Sequence, residues 1–134
     1  MHARFELSTK ISIDQTIFEN MKKEAEELLC AAESDKFTQA IVLFSAKENM
    51  YSAIIKNVLA DEKTDEKSLL EQLKSAEDTE IRYLLSMWAD RELDISSYAF
   101  RELLCSLNPK NAEAVVFVTT FDGVAGITID QTMR

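Results

Sequence analysis

Apolar and polar positions alternate without a break over residues 4–13. Phe5, Leu7, Thr9, Ile11 and Ile13 fall on one side, and Arg4, Glu6, Ser8, Lys10 and Ser12 on the other. A period of two marks a half-buried strand. Asp14, a favoured N-cap residue, follows, and Ile17, Phe18, Met21, Ala25, Leu28, Leu29 and Ala32 recur at helical spacing. A second helix is expected from Asp35, on the stripe Phe37, Ile41, Phe44, Tyr51, Ile55 and Leu59. Leu43, Met50, Ile54 and Val58 widen that stripe, as in a central core helix, and residues 46–49 interrupt it with a kink or a split. The charged run 60–67 reads as a solvated connection. Leu69, Leu70 and Leu73 predict a short third helix. A fourth is capped by Asp78 or Thr79 and turns Ile81, Leu84, Leu85 and Trp88 inward. Ser96 or Ser97 opens a fifth, with Phe100, Leu103, Leu104 and Leu107 inward, and Pro109 ends it at Asn108.

The period then changes. "AEAVVFVTT", "FDGV" and "VAGITID" predict a β-hairpin around an Asp122-Gly123 turn, which pairs Val118 with Ile127 and Val116 with Ile129. One hairpin face carries Val116, Val118, Ala125, Ile127 and Ile129; the other carries Val115, Phe117, Phe121 and Val124. "IDQT" occurs twice, at 13–16 and 129–132, each time where a strand is expected to end on Asp. The same physical demand at two strand exits accounts for the repeat without a duplication. The pattern predicts a single α+β domain over residues 1–134. About five helices pack on one face of a small antiparallel sheet, formed by the N-terminal strand and the C-terminal hairpin.

Composition sharpens this picture. Hydrophobic residues make up 46% and charged residues 29% of the 134, as in a globular chain. With two glycines and one proline, long elements and short connections are expected. Gly123 and Gly126 cannot write a phosphate-binding loop. A net charge of −9 disfavours nucleic acid and anionic membranes as direct ligands, and suits a basic protein partner. The first ten residues have no apolar segment of a secretory signal, so a cytoplasmic protein is expected, with Cys30 and Cys105 reduced and buried.

Candidate chemistry is sparse. His2, the one histidine, stands at the chain end, and two distant cysteines do not make a zinc site, so no catalytic nucleophile, metal or cofactor is expected. Glu48 lies on the stripe between Phe44 and Tyr51 and is the candidate pocket carboxylate. The apolar outer face of the hairpin, with Phe117, Phe121 and Val124, is the candidate protein-binding surface, for self-association or for another chain. The function expected on these grounds is a non-enzymatic protein-interaction module: an adaptor, an inhibitor or immunity-type protein, or a subunit of an assembly. The alternatives are a small-ligand-binding protein or carboxylate-based hydrolase with a helix-lined pocket, and a DNA-mimicking inhibitor.

Overall fold

The computed structural model describes residues 13–59 and 64–133. Among them the chain runs α1 (Gln15–Ala31), β1 (Gln39–Ser45), β2 (Met50–Ile55), α2 (Thr64–Ser75), β3 (Ile81–Trp88), β4 (Leu93–Asp94) and α3 (Tyr98–Leu107). A 3-10 turn (Pro109–Glu113), β5 (Val115–Thr120), β6 (Gly123–Thr128) and α4 (Ile129–Thr132) complete it. The strands form one mixed sheet in the order β2-β1-β3-β5-β6, with β4 on β3. All neighbours are antiparallel except β3 and β5. The expected small antiparallel sheet under five helices is therefore replaced by a six-stranded mixed sheet with four helices. The strand expected over 4–13 lies outside the described residues, save for Ile13.

Two of the expected helices are strands. The segment 39–55 is the β1–β2 hairpin, and 81–88 is β3. β1 and β3 are covered on both faces, and a strand buried on both faces loses its alternation and reads as a continuous apolar run. Ile41, Leu43 and Leu84 face α2 and α3, where Leu69, Leu73, Phe100 and Leu104 pack. Ala40, Val42, Leu85 and Met87 face α1, where Phe18, Met21 and Ala25 pack. α1 and α3 fall where their caps and apolar spacing place them: Asp14 accepts from the Ile17 amide at 3.1 Å, and Ser97 from the Phe100 amide at 3.2 Å. α2 carries Leu69, Leu70 and Leu73 as expected but begins at Thr64, inside the run 60–67 expected as a solvated connection.

The C-terminal hairpin forms with a different register. Val116 pairs with Ile127 and Val118 with Ala125, so Phe121-Asp122 is the turn and Gly123, at φ 122°, closes it. Ile129 is thereby released from the sheet into α4, where Thr128 and Gln131 form a capping box. In the first "IDQT", Asp14 is itself the cap; in the second, Asp130 lies in the first turn behind the Thr128 cap.

The far end of α2 is tied down by polar groups. Asp78 donates its amide to the Leu73 carbonyl at 3.0 Å, and Glu77 donates to the Lys74 carbonyl at 3.1 Å. This is a Schellman closure, with Glu77 in the left-handed region at φ 53°. The buried Asp78 carboxylate accepts from Ser45 Oγ at 2.7 Å, Tyr51 Oη at 2.8 Å and Asn49 Nδ2 at 3.0 Å. Burial alone would raise this carboxyl. The three hydrogen bonds and the Lys47 charge outweigh it and hold Asp78 below its ordinary value of 3.8.

Two outcomes follow at this knot. Because the folded pKa is lowered, Asp78 contributes stability above pH 3.8, and that contribution is lost as the pH falls below this value. Asp78→Asn should cost roughly 1–3 kcal/mol in urea unfolding at pH 7 and flatten the loss of stability below about pH 4. An unchanged acid limb would contradict the assignment. Glu77→Gly should stabilise by about 0.5–1 kcal/mol, since glycine takes the left-handed position without steric cost. A loss of stability there would contradict the strain reading.

Candidate functional site

β2 and β3 run to their carboxyl ends at one end of the sheet, and α2 and α3 begin beyond those ends. In open α/β sheets ligands bind outside the carboxyl ends of strands. Glu66, in the first turn of α2, is only 2% exposed. Its Oε2 accepts from Ser97 Oγ at 2.9 Å, while Ser97 Oγ accepts from the Phe100 amide. One hydroxyl thus caps α3 and holds the carboxylate of α2. Placing negative charge at a helix start is favourable, and the bond from Ser97 is charge-assisted.

Around this bridge the polar groups are buried and mostly paired. The hydroxyls of Ser86 and Ser96 share a short hydrogen bond. Arg101 donates from Nε to the Ser96 carbonyl at 2.9 Å and from Nη1 to Thr132 Oγ1 at 2.7 Å, fastening α4 to the start of α3. Burial pulls the Arg101 pKa down from its ordinary value, against the opposing charges of Tyr98, Asp94 and Cys105. Trp88 Nε1 donates to Asp94 at 3.0 Å. The exception is Gln39, the first residue of β1, flanked in register by Ile55 and Trp88. It is 1% exposed and its Nε2 has no hydrogen-bond partner. A buried donor left unpaired costs about 1–3 kcal/mol.

The residues singled out from sequence lie elsewhere. Glu48 is exposed at the tip of the β1–β2 turn, in the left-handed region at φ 65°, at the opposite end of β1 from Gln39. It faces no pocket. Phe117 is fully buried under α1, with its ring stacked on Tyr83 at 5.3 Å and edge-on to Phe18 at 4.9 Å. It is a core residue and cannot touch a partner. Phe121 and Val124, at the hairpin tip, are 68% and 40% exposed. Cys30 and Cys105 are both free; Cys30 is exposed rather than buried, and Cys105 is half-buried, its pKa raised by burial and by Asp130. His2 lies outside the described residues.

A groove of about 280 Å³ between α2 and α3, lined by Leu70, Lys74, Leu103, Ser106 and Leu107, contains no carboxylate. It does not serve the hydrolase alternative. Glu66 was missed in the sequence, where the run 60–67 reads as a solvated connection; the signal that could have found it is its spacing of three, four and seven residues before Leu69, Leu70 and Leu73, on the apolar stripe of its helix.

No family model and no curated protein sequence matches the chain. Solved structures do. Cytidine deaminase from Mycobacterium leprae matches with a TM-score of 0.63 and 15% identity, over 87% of this chain and 97% of that one. Cytidine deaminase from Mycobacterium tuberculosis matches with 0.64 and 9%, over 87% and 94%. The enzyme from Burkholderia pseudomallei matches with 0.60 and 12%, over 84% and 93%. At these identities the likeness is one of fold. It overturns the expectation of a non-enzymatic interaction module, because the solved structures that share the fold are enzymes.

Proposed function

We propose that this chain is a small-ligand-binding protein on the cytidine deaminase fold. Its ligand is a pyrimidine nucleoside or base, held at the paired starts of α2 and α3, and it does not perform zinc-dependent deamination. The observation that carries this reading is the buried Glu66 carboxylate fixed by Ser97. A carboxylate closed off from water at a helix start is a strong acceptor for an amino or ring N–H group.

The case against zinc rests on the side chains. Zinc deaminases write H-x-E and P-C-x-x-C, with the His and the two Cys on the metal and the Glu as general acid and base. With Glu66 as the glutamate, the first ligand position holds Thr64. At the start of α3, Ser97 and Phe100 stand at the C-x-x-C spacing, behind Ser96 in place of Pro. The Ser97 hydroxyl is engaged by Glu66 and by the helix amide, and the Phe100 ring is fully buried in the core. Thiolate and imidazole are the usual zinc ligands, and a phenyl ring cannot be one. No group of three or more His, Cys, Asp or Glu that could hold a metal occurs among the described residues. These residues do not fit the metal.

In this chain Glu66 binds and orients rather than relaying a proton to a metal-activated water. No helix among the described residues is long and apolar enough to cross a membrane, and a cytoplasmic location agrees with the nucleoside reading.

Titration calorimetry with cytidine, uridine, cytosine and uracil tests this, alongside ammonia release with added zinc. Binding of at least one of the four is expected, weakened at least tenfold by Glu66→Gln, with no ammonia released. The tenfold loss corresponds to about 1.4 kcal/mol. Zinc-dependent ammonia release, or binding to none of the four, would overturn the proposal.

A further inference from the structure

We propose that Gln39 is a ligand-contacting residue, whose side-chain amide donates to a ring carbonyl or ring nitrogen of the bound pyrimidine. The inference rests on the ligand-binding reading above and adds a second anchor to it. Three observations converge on Gln39. It is the first residue of β1, in register with Ile55 and Trp88, the last residues of β2 and β3. By alternation it shares the face of Ile41 and Leu43, the face that α2 and α3 cover. Its amide nitrogen is buried with no hydrogen-bond partner, whereas Ser86, Ser96, Ser97 and Arg101 at the same end are all paired.

A structural role does not explain an amide there. Its neighbours in register are an isoleucine and a tryptophan, and methionine would fill the same length of the sheet–helix core without an unpaired donor. A donor held dry at this end of the sheet is instead suited to be a selectivity device. A site built to hydrogen-bond a polar group rejects the analogue lacking it far more strongly than apolar contact could. Glu66 supplies an acceptor and Gln39 a donor, which matches the mixed donor and acceptor edge of a pyrimidine. The amide is closed off from solvent, so a ligand must displace what covers it, and association is slower than a diffusional encounter.

Gln39→Met separates the roles, with Gln39→Leu as a second variant in case the first misfolds. Thermal unfolding and calorimetry against the same four pyrimidines are measured on wild type and variants. The expected result is a melting temperature that stays or rises, with affinity reduced at least tenfold. A wild type that binds and a folded variant that binds equally well would overturn the role of Gln39 and leave the Glu66 site standing. A wild type that binds none of the four would overturn both. A variant that melts well below wild type while keeping its affinity would mark Gln39 as structural.

Discussion

The antiparallel pair β1–β3 is buried on both faces, and the placement of α1, α2 and α3 follows from that. Ala40, Val42, Leu85 and Met87 require a cover on one side, and α1 supplies it with Phe18, Met21 and Ala25. Ile41, Leu43 and Leu84 require a cover on the other, and α2 and α3 supply it. Each of these strands buries several large side chains, at about 1.5–3 kcal/mol for each Val, Leu, Ile or Met, so neither layer can be omitted. With β2 and β3 feeding α2 and α3 across the same face, the two helix starts are brought together at one end of the sheet.

That meeting point is where the sheet's apolar logic stops. Helix starts present unpaired amides, and polar side chains must satisfy them. Ser97 does so for α3 and in the same gesture holds Glu66 of α2. At the opposite end of the helix layer, Asp78 closes α2 onto the β1–β2 turn with every donor around it accounted for. The contrast separates a structural carboxylate from a candidate binding one. Asp78 takes three donors of the fold on one oxygen, whereas the end of the sheet beyond which α2 begins contains the unpaired amide of Gln39.

The first three helices and the C-terminal hairpin were legible in the sequence; β1 to β4 and α4 were not. Asp14, Ser97 and Pro109 act locally, and a cap or a breaker is read from neighbours. The β1–β2 hairpin and β3 are defined by contacts on two faces at once, which a one-dimensional period cannot record. Their turns also lack the usual marks. Glu48, Glu77 and Arg91 take the left-handed conformations that glycine or asparagine would advertise, so the scarcity of glycine implied long helices that do not exist. In the site, Glu66 was hidden in a charged run that reads as solvated, although its spacing from Leu69, Leu70 and Leu73 carried the signal. Gln39 showed nothing, because its meaning lies in having no partner in three dimensions.

A fold does not determine a reaction, and this one is described by its residues at the helix starts rather than by its likeness to deaminases. The central claim is a pyrimidine site organised by a carboxylate without a metal. A crystal structure of the protein soaked with cytidine or uridine, recorded at the zinc absorption edge, addresses it directly. The account predicts pyrimidine density against the Glu66 carboxylate and no anomalous peak at the starts of α2 and α3. An anomalous peak between Thr64, Ser97 and Phe100, or a pyrimidine seated away from Glu66, would contradict it.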